Sequence, residues 1–182
     1  MLYYVHGYMS APDSTKGTLF NETLGAKAIK YRDCEPEDLV ISECLERIKQ
    51  EIRDDKNAVL IGSSLGGFLA AKIALDCSNV KTAILLNPAT IPPDIDIKTI
   101  HDMPQSILKD MKDEELFFKK INSNLFVIVG TEDNVVPNQW VISFAKAQEA
   151  IVKFLKDDHS LSKNTQNLPK IVSGILQKSI KE

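Results

Sequence analysis

The sequence predicts an α/β fold, a mostly parallel sheet with helices on both of its faces. Three observations carry this. Near-continuous apolar runs recur along the chain, "AVLIGS" (58–63), "TAILLN" (82–87) and "LFVIVG" (125–130), as strands covered on both faces require. Longer amphipathic segments separate them, so strand and helix alternate in the manner of parallel crossovers. A length of 182 residues suits one domain with a sizeable core.

In order, "LYYV" (2–5) reads as the first strand and "KAIKY" (27–31) as a weaker one. Over 35–55, Leu39, Cys44, Leu45, Ile48 and Ile52 fall near helical spacing, with acidic residues leading and Lys49 and Arg53 following. The strand at 58–63 runs into a helix at 65–76, and the strand at 82–87 into the longest interruption, 88–123. That interruption begins "NPATIPPDIDI", too proline-rich for an immediate helix. It continues as "QSILKDMKDEELFFKKI", a helical pattern with Ile107, Leu108, Met111, Leu116, Phe117 and Phe118. A strand at 125–130, a helix at 138–149, the strand "AIVKFL" (150–155) and a helix at 161–180 complete six strands. Repeats and low-complexity tracts are absent.

Composition excludes some partners. With 22 basic and 25 acidic residues the net charge is -3, too mild for a polyanionic partner, and no basic cluster suggests nucleic acid. Hydrophobic residues at 43% and charged residues at 26% describe an ordinary soluble globular protein. Cys34, Cys44 and Cys77 are odd in number and form no CxxC, so reduced thiols are expected rather than disulfides or a metal site. The opening "MLYYVHGYMS" lacks the regions of a signal peptide, and no run approaches the roughly 18 apolar residues of a membrane span. A cytoplasmic protein is expected.

"GSSLGG" (62–67) joins a strand to a helix at the sheet edge where open α/β sheets bind ligands. A phosphate-binding GxxxxGK[ST] loop fails because Phe68 follows Gly67 and no lysine is supplied; a GxGxxG dinucleotide loop fails because Ser64 takes its middle glycine. G-x-S-x-G fits Gly62–Gly66 with Ser64 at its centre. A sharp strand-to-helix turn would project the Ser64 hydroxyl above a helix N-terminus, which favours developing negative charge. A tight turn that merely needs small residues is the rival reading. Against it, an acid and a base follow in the order this architecture requires. Asp133 comes three residues beyond the strand 125–130, in "TEDNVVP", and His159 comes after the sixth strand, in "KDDHSL". Ser64, Asp133 and His159 are therefore the candidate nucleophile, orienting acid and general base. Glu132 is the fallback acid, and Asp157 or Asp158 could solvate the same loop. Ser63 should point away from a substrate, and His101 reads as a solvated side chain.

The set "HGY" (6–8), "GSSLGG", "GTEDNVVP" (130–137) and "DDHSL" (157–161) resembles the α/β-hydrolase superfamily, particularly its small bacterial YqiA-like esterases. The resemblance covers nearly the whole chain and is specific to superfamily, not to substrate. It implies a single α/β-hydrolase domain with a six-stranded sheet lacking the first two strands of larger members. It makes His6 a structural member of the HG turn. The oxyanion hole would use the backbone N–H of Leu65 and of Tyr8, with Met9 as alternative. Residues 88–123 lie where the superfamily inserts lids, so Leu116, Phe117 and Phe118 either line an acyl pocket or form the core face of a helix. The implied function is a serine hydrolase of carboxylic esters or thioesters with short to medium acyl groups, needing no metal or organic cofactor. Its partner would be a small-molecule substrate rather than nucleic acid. Acyl transfer through the same residues, and a binding protein with a vestigial site, are the rivals.

Overall fold

The computed structural model describes residues 1–179. Six strands form one sheet: β1 (Leu2–Val5), β2 (Lys27–Ala28), β3 (Ala58–Ser63), β4 (Val80–Leu86), β5 (Asn124–Gly130) and β6 (Ile151–Leu155). They lie in the order β2-β1-β3-β4-β5-β6, and every pairing is parallel. The helices are α1 (Thr15–Leu24), α2 (Ile41–Ile52), α3 (Leu65–Asp76), α4 (Gln105–Met111), α5 (Glu115–Phe118), α6 (Asn138–Gln148) and α7 (Leu168–Ser179).

Strand alternation divides the core in two. Tyr3, Val5, Leu60, Leu85, Val127 and Val129 share one cluster with Ile48 of α2, Phe68 and Leu69 of α3 and Phe144 of α6. Tyr4, Ile61, Ile84, Leu86, Phe126 and Ile128 share the other with Phe20 of α1 and Leu168 and Val172 of α7. The handedness of parallel crossovers explains which helix lies where. From β1 the chain steps outward to β2, then turns back past β1 and proceeds from β3 to β6. Right-handed connections running in opposite directions put their helices on opposite faces. The reversal beside β1 makes a crevice beyond the carboxyl ends of β1 and β3.

The elements differ from the sequence expectation in several places, β2 among them, which is confined to Lys27–Ala28. Residues 15–24 form α1, which the apolar pattern does not announce because only Gly17 and Phe20 are buried there; its ends are marked instead by Ser14, whose hydroxyl accepts from the Gly17 N–H, and by left-handed Gly25. The helix expected over 35–55 is a short turn at Pro36–Asp38 followed by α2, with Leu39 buried between them. The helical pattern of 105–121 breaks at Lys112, because the Asp113 carboxylate accepts the Glu115 N–H and starts α5 anew. The helix expected over 161–180 starts at Leu168; its last expected residue lies outside the described residues.

Residues 88–123 are fastened to the body at several points. The partly buried Lys72 ammonium of α3 meets Asp113 at 2.7 Å and Glu115 at 2.8 Å. Lys112 donates to the Ile95 carbonyl at 2.7 Å, and the buried Gln148 side chain donates to the carbonyls of Leu116 and Lys119, both at 2.7 Å. Among the described residues no helix is long and apolar enough to cross a membrane.

Candidate active site

The end of β3 turns into α3 through Ser64, whose φ of 54° and ψ of -118° are a conformation that non-glycine residues rarely adopt. The surrounding bonds hold it there. Its N–H donates to the Leu86 carbonyl at 2.9 Å, and its carbonyl accepts from Gly67 (2.8 Å), Phe68 (3.1 Å) and Ala89 (3.0 Å). The turn also needs bare backbone on either side. A Cβ at Gly62 would lie 2.2 Å from the Gly66 carbonyl oxygen, and one at Gly66 would lie 2.1 Å from that of Val5. Side chains at either position would push α3 off the sheet.

Ser64, His159 and Asp133, separated by up to 95 residues in the chain, meet in one hydrogen-bonded line. His159 Nε2 lies 2.9 Å from Ser64 Oγ, and His159 Nδ1 lies 2.8 Å from Asp133 Oδ2. A carboxylate can only accept here, so Nδ1 carries a proton, which leaves Nε2 as the ring nitrogen that faces the Ser64 hydroxyl. Asp133 is fixed independently: its side chain is fully buried, and Oδ1 accepts from the N–H groups of Val135 (2.8 Å) and Val136 (3.0 Å). Glu132 is turned outward into an ion pair with Lys163.

The loop bearing His159 is built on Asp157. This fully buried carboxylate accepts from the N–H groups of Asp158, Lys163 and Asn164 and from the Asn164 side chain. Those bonds outweigh the effect of burial and hold its pKa below the usual carboxylate range. Asp158 caps Ser162. Both acids therefore shape the loop rather than merely solvate it.

Opposite Ser64 lies the turn after β1. His6 is buried, stacks on Tyr31 with ring centroids 4.2 Å apart, and its Nδ1–H donates to the Gly7 carbonyl at 2.9 Å. Burial lowers its pKa to about 4, so it stays neutral and structural. The N–H groups of Leu65, Tyr8 and Met9 meet no acceptor among the described residues. His101 is exposed, and Ser63 is buried beside Ser64.

A cavity of about 430 Å³ opens over Ser64 and His159. Its wall combines Tyr8 and Met9, Ile91 and Ile100, Leu108 and Met111 of α4, Val135, Val136 and Trp140. Leu116, Phe117 and Phe118 do not reach it. Leu116 is buried in the core, Phe117 packs edge-on against Phe144 at 6.1 Å, and Phe118 is 76% exposed. The break after Met111 rotates this stretch away, so α4 rather than α5 faces the cavity. Among the described residues no group of three or more His, Cys, Asp or Glu could hold a metal ion.

Three bracing residues are absent from the sequence reading. Asn87, buried at the end of β4 with φ 42°, donates to the carbonyls of Asp158 (3.2 Å) and His159 (2.8 Å) and accepts from the Gly130 N–H at 2.7 Å. It ties the ends of β4 and β5 to the His159 loop. Tyr31 Oη donates to the carbonyls of His6 and Gly7, both at 3.2 Å, while Arg32 Nη2 donates to those of Tyr8 (2.8 Å) and Ser10 (2.9 Å). The available signal was position: "KYR" and "LLN" end at the carboxyl edge of the sheet, where a polar residue after an apolar run has a ligand or a loop to hold.

A model of the Uncharacterised protein family (UPF0227) matches residues 1–175. No curated protein matches the chain. Among solved structures it is similar to Est1E from Butyrivibrio proteoclasticus, with TM-score 0.79 and 17% identity over 100% of this chain and 88% of that one. It is also similar to a putative hydrolase of the alpha/beta superfamily from Xanthomonas campestris pv. campestris (TM-score 0.69, 21% identity, 97% and 98% covered). A third is monoacylglycerol lipase from Paleococcus ferrophilus (TM-score 0.74, 14% identity, 98% and 94% covered). At these identities the likeness is one of fold, and the fold is that of the α/β-hydrolases.

Proposed function

We propose that this chain, which belongs to the Uncharacterised protein family (UPF0227), is a serine hydrolase that cleaves carboxylic esters or thioesters through an acyl-enzyme. The observation that carries the reading is the unbroken line from Ser64 Oγ through His159 to buried Asp133, at 2.9 and 2.8 Å. A structural serine needs no imidazole held between its hydroxyl and a buried carboxylate.

In this reading His159 Nε2 takes the Ser64 proton as Oγ attacks the acyl carbonyl. Asp133 stabilises the imidazolium that results. The tetrahedral oxygen is held by the N–H groups of Leu65 and of Tyr8 or Met9, which are already free to donate. Collapse expels the alcohol or thiol with the proton from Nε2, leaving Ser64 acylated. Water then gives a proton to Nε2 and attacks the acyl group; the tetrahedral intermediate collapses with return of that proton to Ser64 Oγ, releasing the acid and restoring the free hydroxyl and imidazole.

The chain is one α/β-hydrolase domain in the same reading, and 88–123 forms a short fixed cap whose α4 side covers the acyl group. The substrate is a small molecule. The free thiols of Cys34, Cys44 and Cys77 suit the reducing cytoplasm.

The test is turnover of p-nitrophenyl esters and acyl thioesters of graded length. Wild-type protein is expected to hydrolyse them with a maximum at short to medium chains, and Ser64→Ala to lower kcat about 10⁶-fold. Equal turnover by both proteins would refute the reading.

A further inference from the structure

Lys16 stands where local physics disfavours a cation. It lies in the first turn of α1, beside the positive end of the helix dipole, where acidic residues are favoured and none occurs. It is partly buried, and lost hydration pushes its ammonium below the usual lysine range, opposed only in part by Asp158 and Asp157. Those two carboxylates are engaged by the backbone and side chains of residues 158–164. The hydrogen bond that Lys16 Nζ makes is to the Ser160 carbonyl, at 2.7 Å. An ammonium has three donors, and Lys16 lines the cavity that holds Ser64 and His159.

The ester chemistry proposed above has no use for this charge, since backbone N–H groups serve the oxyanion. Among the described residues the cavity wall holds one acid, Asp102, which is exposed, so that solvent and salt screen it. A partly buried cation in a largely apolar cavity acts on a bound group more strongly than an exposed acid does.

Resting on the acyl-enzyme reading of Ser64, we infer that the substrate carries an anionic group, a carboxylate or a phosphate, which Lys16 binds inside the same cavity. Lys16 is tied to residue 160, next to the imidazole that protonates the leaving group. The leaving half of the substrate is therefore the half expected to carry the anion.

Two matched pairs test this. In the first the leaving half differs: 4-carboxyphenyl butyrate against 4-(methoxycarbonyl)phenyl butyrate. In the second the acyl half differs: the mono-p-nitrophenyl ester of adipic acid against its methyl ester. Wild-type kcat/KM is expected to favour the anionic member of the first pair, and Lys16→Met to lower the anionic-to-neutral ratio about 10-fold or more. Lys16→Arg is expected to keep the preference. Taking the ratio on one protein cancels any loss of folded material. Benzoate and phenyl phosphate, as competitive inhibitors of the neutral ester, rank carboxylate against phosphate. A Lys16-dependent preference seen only in the second pair would support the cation site and move the anion to the acyl half. No preference in either pair, or one that survives Lys16→Met, would overturn the inference. Binding of both pairs to Ser64→Ala protein reads anion recognition without turnover. Failure of the hydrolase reading with retained Lys16-dependent binding is thus distinguishable from failure of this one.

Discussion

At the scale of single residues, the site depends on conformations its residues would not choose alone. Ser64 holds a φ of 54° because four hydrogen bonds and the bare backbone of Gly62 and Gly66 leave it no alternative. Such strain costs on the order of 1–3 kcal/mol and persists only where neighbours enforce it. Asn87 is a second case, held at φ 42° while its amide makes three hydrogen bonds across the ends of β4, β5 and the His159 loop. Asn87→Ala is expected to leave the Gly130 N–H and the His159 carbonyl unpaired, the Asp158 carbonyl keeping the Leu161 N–H, and to destabilise the protein by about 1–3 kcal/mol. Because Asn87 positions His159 without touching substrate, kcat is expected to fall about 10- to 100-fold with KM little changed. Steady-state kinetics with chemical denaturation reads both. Asn87→Ala with unchanged kcat would show that the His159 loop needs no support from β4.

At the scale of elements, Gly66 fixes how closely α3 meets β1. Gly66→Ala would place a methyl 2.1 Å from the Val5 carbonyl oxygen, so a clear drop in melting temperature is expected. The segment 88–123 depends similarly on Lys72. Lys72→Met removes the partner of the largely buried Asp113 carboxylate, and amide exchange across α4 and α5 is expected to speed up while the sheet stays protected. Exchange unchanged in Lys72→Met would mean that apolar packing alone holds the segment.

Elements were legible in the sequence where one physical signal dominated. The runs of β3, β4 and β5 are apolar on both faces because helices cover both, and they were readable for that reason. β2 was overextended: its ladder is Lys27–Ala28, after which Ile29 and Tyr31 turn into the core. α1 was unreadable by periodicity because it lies at the sheet edge and buries little. The site followed the same rule. Ser64, Asp133 and His159 each sit at a strand end marked by glycine or by a charged cluster. Asn87, Arg32 and Lys16 act through backbone carbonyls brought close only by the fold, and a carbonyl leaves no mark in a sequence.

At the scale of the whole molecule, the buried His6 ties stability to pH. Its folded pKa, about 4, lies below the ordinary histidine value of about 6.5. In that window the unfolded chain binds a proton that the folded protein does not. Stability is therefore full above about pH 6.5 and falls as pH drops towards 4, by on the order of 2–3 kcal/mol. His6→Phe, which keeps an aromatic face on Tyr31, is expected to flatten this part of a melting-temperature profile. The same slope in both proteins would place the effect elsewhere. The reversal of strand order beside β1 accounts for the location of the cavity, and the six-stranded sheet brings three distant loops to within 3 Å contacts above it. The most direct test of the central claim is reaction with a fluorophosphonate followed by peptide mass spectrometry. The account predicts a single adduct on Ser64, absent from Ser64→Ala and slowed in His159→Ala. An adduct on another residue, or labelling that persists in Ser64→Ala, would contradict it.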